Sequence, residues 1–252
     1  MQKWSLVLGL GLASCAAVAN TASKLHEGYS VGVQAAANLA FATNESYFYQ
    51  SDDIKFQDFR STDFQAIGSY GVSAAYHWVK GSGLLSLKLG VNQFSGSVKT
   101  IDSVNDTIPY NDESIGLSNK IKLRQQYNLS LQWDKAVASG VYLQSGLRFS
   151  VLDAKNELTV EDMELVGNIK EATVIQSGLR YGVGVSLGVE YFIQQHNAID
   201  LGVSYTFYAA KKLRNYSDFY TAASGLTQYD ELQNRRSQFS LLAFEAGYSY
   251  YF

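Results

Sequence analysis

The residues of this chain that could act as bases or nucleophiles are few and poorly placed for catalysis. His26 precedes the first predicted strand, His77 lies inside a strand, and His196 lies in a short turn. Two G-x-S-x-G matches begin at Gly28 and Gly184, but this hydrolase motif requires a turn between a strand and a helix. Both matches fall inside predicted strands, where a serine without a neighbouring base is not activated. We therefore predict no catalytic residue and no cofactor, and the single cysteine excludes a Cys-rich metal site.

Charged residues at alternate positions of otherwise uncharged segments form the other candidate site. Glu190 and Asp200 lie near the same predicted turn, and two neighbouring carboxylates favour a shared proton or a bound cation. Arg148 and Glu245 lie near the middle of their segments, which predicts an ion pair. All these side chains would face inward if the segments closed into a barrel. The full predicted set, a lumen charge network, is Lys88, Lys122, Arg124, Arg148, Arg180, Glu190, Asp200 and Glu245.

Eight segments with a period of two supply the elements that would position these charges. Apolar and polar residues alternate along each segment, which predicts half-buried β-strands. The segment midpoints lie near residues 34, 73, 90, 126, 146, 184, 204 and 245, so long and short spacings alternate. Short links carry turn residues, and the only proline, Pro109, lies in a long link. The pattern predicts an all-β fold, an eight-stranded antiparallel up-and-down barrel with short turns at one rim and long loops at the other.

The distribution of charge between the two faces of the strands predicts a membrane-spanning barrel. One face of each strand is almost free of charge, whereas the other carries the lumen charge network. A water-soluble barrel would place its charges outside, and eight strands enclose a lumen only wide enough for side chains. The apolar face is therefore expected to meet lipid. Aromatic residues at the short-turn rim are typical of an interfacial girdle, which we predict to include Tyr29, Trp78, Trp133 and Tyr191.

Composition and the N-terminal segment limit where the chain functions. A mean hydropathy of −0.10 excludes a bundle of membrane helices, and a net charge of −3 leaves no footprint for nucleic acid. Residues 1–19 combine Lys3, an apolar stretch and an Ala-Val-Ala site, which predicts a cleaved signal peptide. The alternative is a lipoprotein signal cut before Cys15. Residues 20–27 then precede the barrel, which residues 28–252 form.

The end of the sequence, Tyr248-Ser249-Tyr250-Tyr251-Phe252, alternates aromatic side chains and closes on phenylalanine. Together with the eight strands, this ending resembles the eight-stranded bacterial outer-membrane barrels, the OmpA/OmpX/Ail/opacity-protein family. The resemblance covers residues 28–252. It implies the outer membrane of a Gram-negative bacterium, extracellular loops and periplasmic termini, so that residues 20–27 form a periplasmic N-terminal segment. It also implies that Tyr248, Tyr250 and Phe252 form the signal that the barrel-assembly machinery recognises.

Four long links, residues 42–67, 99–118, 153–173 and 209–236, hold 18 of the 23 acidic residues. The first and fourth also carry several aromatic residues, a composition typical of interaction surfaces. We therefore expect a monomeric, non-enzymatic surface protein, surrounded by outer-membrane lipid and lipopolysaccharide, with loops that bind host surface or matrix components. Loops that are simply solvated are the alternative interpretation. A narrow porin-like channel for ions or small solutes is the second candidate function, and a lipid-modifying enzyme is the third.

Overall fold

The computed structural model describes residues 27–48, 57–80, 83–104, 115–163, 169–212 and 236–252, and nearly all of these lie in β-strands. The predicted signal peptide, the alternative lipidation site at Cys15 and the segment up to residue 26 lie outside the described residues. Within the described ranges, no helix is long and apolar enough to cross a membrane.

The described residues form nine strands in one sheet that closes on itself. β1 pairs with β9, and β3 pairs with β5 to complete the ring. β3 and β4 are two parts of one strand, because both pair with β5 and only Ser95 and Gly96 separate them. The ring therefore has eight antiparallel strands, and the predicted fold class is confirmed. The strands are β1 (Gly28–Phe48), β2 (Gln57–Lys80), β3 (Gly83–Phe94), β4 (Ser97–Val104), β5 (Ile115–Ala138), β6 (Val141–Met163), β7 (Ile169–Gln194), β8 (Asn197–Lys212) and β9 (Arg236–Tyr251).

The outer surface of the ring is apolar because alternate side chains of each strand point to opposite faces. On β7, for example, Leu187 is 65% exposed on the outside while Glu190 is buried inside. Thirty-six large hydrophobic side chains are exposed in the described part of the chain. A soluble monomer does not expose apolar surface on this scale. The belt of apolar side chains is therefore the lipid-facing surface of a membrane-spanning barrel.

The strands continue well beyond the length that crosses a bilayer. A tilted membrane strand needs about 9–11 residues, whereas β6 has 23 and β7 has 26. β6 and β7 remain paired as far as Met163 opposite Ile169. The prediction of loops over 42–67, 99–118 and 153–173 is thus wrong for most of their described residues, which lie in paired strands. The parts of these strands that extend beyond the bilayer into water need no apolar face. The period-two alternation of apolar and polar residues is therefore weak there, although the hydrogen bonds between the strands continue.

Tight turns lie at the opposite rim. Ser139 and Gly140 join β5 to β6, and Gln195 and His196 join β7 to β8. Gly140 has a φ of 71°, a left-handed conformation that glycine adopts at little cost. The C-terminal strand reaches the same rim, where the Tyr251 amide donates a hydrogen bond to the His196 carbonyl oxygen.

Candidate functional site

An ion pair crosses the middle of the lumen. Arg148 on β6 donates two hydrogen bonds to Glu245 on β9, with an Nη1–Oε1 distance of 2.6 Å and an Nη2–Oε2 distance of 3.0 Å. The Ser204 hydroxyl accepts a hydrogen bond from Arg148 Nη1 and donates one to Glu245 Oε1, each 2.8 Å long. Gly184 stands opposite Arg148 on β7, so no side chain blocks the guanidinium from reaching β8 and β9. The predicted pair of Arg148 and Glu245 is therefore present in the structure.

Amide side chains continue the network from this level towards the long-link rim. Gln34 Nε2 donates to Asn92 Oδ1 at 2.6 Å, and Asn92 Nδ2 donates to Gln126 Oε1 at 3.2 Å. Gln126 Nε2 in turn donates to the Tyr208 hydroxyl oxygen at 2.5 Å. These bonds join β1, β3, β5 and β8 across the lumen, and buried networks of this kind rigidify the interior when their members are satisfied.

Above the amides, the lumen is filled by an apolar plug. Leu152 and Ile121 are fully buried, and Phe239 packs against the Tyr208 ring with centroids 5.6 Å apart. The sequence predicted a polar filling only, so this apolar layer is an addition that the structure reveals. Side chains buried to this degree close the described lumen at this level. The members of the apolar plug are Ala40, Ala42, Ile67, Phe94, Val98, Ile121, Leu123, Leu152, Ala154, Tyr208, Phe239 and Leu241.

A hydrogen-bonded array that includes His77 occupies the short-turn end. His77 Nε2 lies 2.7 Å from Ser30 Oγ, and His77 Nδ1 lies 2.6 Å from Ser86 Oγ. Ser86 donates a hydrogen bond of 3.2 Å to Asp134 Oδ2. The hydrogen-bonded order Ser30, His77, Ser86 and Asp134 resembles the serine-histidine-aspartate triad of hydrolases, with one extra serine between the histidine and the aspartate. Ser30 is the serine of the first G-x-S-x-G match, so the prediction that it has no neighbouring base is wrong.

The array lacks the other requirements of nucleophilic catalysis. Ser30 is 6% exposed and His77 is 4% exposed, so a substrate carbonyl has no path to the Ser30 hydroxyl. The backbone of Ser30 is paired with both β2 and β9, which leaves no free pair of amides for an oxyanion hole. The geometry therefore supports a structural role for these residues.

Glu190 and Asp200 face each other across β7 and β8, as the sequence predicts. The Tyr251 hydroxyl donates to Glu190 Oε1 at 2.5 Å, and the Ser249 hydroxyl donates to Asp200 Oδ2 at 2.7 Å. Both donors belong to β9, so these carboxylates hold the last strand in the ring. Within the described part of the chain, no group of three or more His, Cys, Asp or Glu side chains is arranged to hold a metal ion.

A small polar cavity separates the central ion pair from these carboxylates. Its volume is about 40 Å³, and Lys88, Gln132, Gln144 and Asp200 contribute to its lining. A cavity of this size and polarity can hold a few water molecules. Lys88 forms no ion pair within 4.0 Å among the described residues. The predicted lumen position of Lys88 is therefore present, but without a direct carboxylate partner.

Arg180 lies at the long-link end of the lumen and is 2% exposed. It donates to the Ser237 carbonyl oxygen, to Ser237 Oγ and to Asn156 Oδ1, each at 3.2 Å. Its guanidinium is thus held by neutral acceptors, and among the described residues no carboxylate lies within 4.0 Å of it.

Lys122 and Arg124 are on the outside of the barrel, so the prediction that they face the lumen is wrong. The Arg124 side chain is 46% exposed, and its Nη1 lies 3.6 Å from Asp153 Oδ2 on the outer face of β6. Lys122 is also exposed. Neither residue can take part in the lumen charge network.

A β-bulge in β5 explains this reversal. Arg124 and Gln125 together oppose the single residue Asp153, and such an insertion shifts the alternation of side chains by one residue. Ile121 and Leu123, which the alternation places outside, therefore turn inward and join the apolar plug. A similar irregularity in β8 lies between Tyr208 and Lys211.

Asp134, Tyr208 of the apolar plug and Lys211 also lie in the lumen, although none of them is in the predicted charge network. Asp134 continues the alternation of β5 two residues beyond Gln132 and is buried inside. Tyr208 is fully buried on β8. Lys211 follows the bulge in β8, where alternation alone predicts the wrong face.

The predicted girdle and C-terminal residues lie on the outer face of the barrel at the short-turn rim. Tyr29 is 66% exposed and its ring packs edge-on against Tyr76, with centroids 4.8 Å apart. Tyr250 packs in the same way against Phe252, at 5.3 Å. Trp78, Trp133 and Tyr248 are also exposed, and Tyr191 is partly exposed. Recognition of Tyr248, Tyr250 and Phe252 by the barrel-assembly machinery stays a prediction.

No protein-family model matches the chain, and no curated protein matches it. Among solved structures, Neisserial surface protein A is 18% identical with a TM-score of 0.37, covering 90% of this chain and 100% of its own. The outer membrane protein OprG of Pseudomonas aeruginosa is 13% identical with a TM-score of 0.44, covering 90% and 98%. The outer membrane protease OmpT of Escherichia coli is 10% identical with a TM-score of 0.35, covering 89% and 97%.

These matches have TM-scores below 0.5 and identities of 18% or less, so they carry no argument about this chain. The predicted barrel fold is confirmed by the chain's own closed ring of eight antiparallel strands. The matches include a surface protein and a protease by name, so they indicate no activity for this chain.

Proposed function

We propose that the chain is an integral protein of the outer membrane of a Gram-negative bacterium that acts through its extracellular surface. In this proposal the barrel is non-enzymatic and its lumen does not conduct. The apolar belt supports the membrane location, since closed barrels are the only sheet structures that span a bilayer. The short turns lie in the periplasm, and the long links project outside the cell.

The observation that carries the proposal is the filling of the lumen. Apart from the Tyr208 hydroxyl, which is hydrogen-bonded to Gln126, the side chains of the apolar plug offer no polar group to an ion. An apolar constriction stops conduction by excluding water. Below it, the doubly hydrogen-bonded pair of Arg148 and Glu245 spans the same space. A barrel closed at two levels leaves the outer surface and the links as the parts that can bind a partner.

The composition of the links supports host surface or matrix components as partners. The tip of the first link, residues 49–56, contains two aromatic residues, and the tip of the fourth, residues 213–235, contains four. Exposed tyrosine and phenylalanine are enriched at protein interfaces. The tip of the third link, residues 164–168, contains no aromatic residue and therefore provides a control.

The test is binding of whole cells to immobilised matrix proteins after replacement of link tips by Gly-Ser segments of equal length. Replacement of residues 49–56 or 213–235 should abolish binding, whereas replacement of residues 164–168 should leave it unchanged. Surface display of each variant is checked by protease accessibility. Unchanged binding after both aromatic replacements, or no binding by wild-type cells, would overturn the adhesive function.

A narrow channel is the second candidate, and the polar cavity beside Lys88 and Asp200 favours it. Single-channel recording in planar bilayers separates the two functions. The proposal expects no openings from the wild-type barrel. Reproducible openings that change in Arg148→Ala or Glu245→Ala would establish the channel instead.

A further inference from the structure

A group of basic side chains lies on the outer face of the barrel near its long-link rim. Lys99 on β4, Lys120, Lys122 and Arg124 on β5, and Lys155 on β6 all project outward. β5 is paired with both β4 and β6, so the five side chains share one surface, here named the basic patch. The bulge in β5 creates much of it, because without the bulge Lys122 and Arg124 would point into the lumen.

Two carboxylates neutralise the five cations of the basic patch only in part. Asp153 pairs with Arg124 at 3.6 Å and Glu157 pairs with Lys155 at 2.7 Å. Glu157 also stands directly opposite Lys120, but Lys99, Lys120 and Lys122 form no ion pair within 4.0 Å among the described residues. Two like-charged pairs also stand directly opposite each other, Lys99 with Lys120 and Lys122 with Lys155. Like charges that stand directly opposite each other destabilise a sheet.

The patch begins directly above the apolar belt. Tyr127 is 46% exposed and stands opposite Val151 on the outer face. Asp153 and Lys155 follow Val151 on the same face, and two residues of a strand rise by about 7 Å. The Tyr127 hydroxyl donates to Gln125 Oε1 at 2.9 Å, at the level where the polar surface starts. Arg124 and Lys122 therefore lie at the level expected for lipid headgroups, and Lys120 and Lys99 lie one outward-facing position further from the apolar belt.

We propose that the basic patch binds the phosphate groups of an anionic lipid, of the lipid A class, in the extracellular leaflet. This inference rests on the proposed outer-membrane location. Lysines bind phosphate oxygens as point charges and arginine can bind them in pairs. The acyl chains of the same lipid would lie against the apolar belt beneath the patch. A phosphate placed between the lysines would offset the repulsion in both like-charged pairs.

The test compares variants refolded into phosphatidylcholine vesicles that contain rising fractions of fluorescent lipid A. Energy transfer from the tryptophans to the lipid measures the apparent affinity. The triple variant Lys99→Gln/Lys120→Gln/Lys122→Gln should bind lipid A about 100-fold more weakly, since each lysine near an anionic surface contributes about a fivefold factor. The control Lys80→Gln/Lys135→Gln, at the short-turn rim, should bind as the wild type does.

Two further measurements distinguish lipid A phosphate from free phosphate and keep the test available if a variant misfolds. Wild-type barrel should prefer lipid A to dephosphorylated lipid A, and inorganic phosphate should not compete at equal concentration. The single variant Lys122→Gln should weaken binding about fivefold, which keeps the test available if the triple variant does not fold. Folding is followed by the heat-dependent shift of the barrel on gels.

The inference is overturned if the patch variants bind lipid A as tightly as the wild type. Equal competition by inorganic phosphate would also overturn it, because the partner would then be soluble phosphate. If the triple variant loses binding to heparin, an anionic polysaccharide, but keeps its binding to lipid A, the partner would be a polysaccharide and the inference would likewise be overturned. Failure of the wild-type chain to insert into any vesicle is a different result. That outcome would contradict the proposed membrane location itself.

Discussion

Removal of Glu245 should destabilise the barrel far more than removal of a carboxylate from an exposed pair. The Arg148 and Glu245 side chains are 8% and 18% exposed, so Glu245→Ala leaves a buried guanidinium with only the Ser204 hydroxyl as acceptor. Arg148 Nε already has no hydrogen-bond partner in the described structure. Breaking one side of a buried ion pair costs about 3–5 kcal/mol, and we expect a loss of this size.

The assay is urea unfolding of the barrel in phosphatidylcholine vesicles, followed by tryptophan fluorescence. Glu157→Ala is the control, because it removes the carboxylate of an ion pair of similar length, with Lys155 2.7 Å away. The Glu157 and Lys155 side chains are more exposed than the central pair, at 27% and 23%. Exposed pairs contribute about 0–1 kcal/mol. The double variant Arg148→Met/Glu245→Leu should recover most of the loss, since apolar side chains of similar volume often replace a buried pair at little cost.

Equal losses for Glu245→Ala and Glu157→Ala would refute the reasoning, because they would mean that water screens the central pair as well as it screens the exposed one. Failure of the double variant to recover stability would show that the pair contributes more than the cost of an unpaired charge. Equal losses would also weaken the case for a closed lumen, because water would then reach the central pair.

Three other predictions test the lumen. A fluorophosphonate should leave Ser30 unlabelled in the folded barrel, and an adduct found there by mass spectrometry would identify an accessible nucleophile. Gly182→Ala should lower the free energy of unfolding by about 1–3 kcal/mol, because the added Cβ would lie 2.8 Å from neighbouring backbone and ring atoms. Gly90→Ala, with its nearest atom at 3.7 Å, should change little in the same titration. Arg124→Cys should react with an aqueous maleimide while Gln126→Cys stays unlabelled, and the reverse pattern would contradict the bulge.

The barrel and its lipid-facing side were predictable because both follow from local alternation. Each strand shows its apolar face within a few residues, as Leu87 and Leu89 do on either side of Lys88. Predictions failed where the alternation reverses, at Lys122 and Arg124, because a bulge is one extra residue that leaves no mark in the pattern. They also failed where strands extend beyond the bilayer into water, because a strand without an apolar face cannot be distinguished from a loop by its sequence pattern.

Alternation within single strands was thus enough to identify the fold class, the membrane-facing surface and the lumen position of six of the eight predicted charged residues. Contacts inside the lumen depend instead on register between strands, a relation among residues far apart in the chain. Arg148 and Glu245 are 97 positions apart, and Ser30 and His77 are 47 apart. The apolar plug and the basic patch arise from the same cause, since closure of the ring and one bulge in β5 decide which side chains are enclosed and which are left outside.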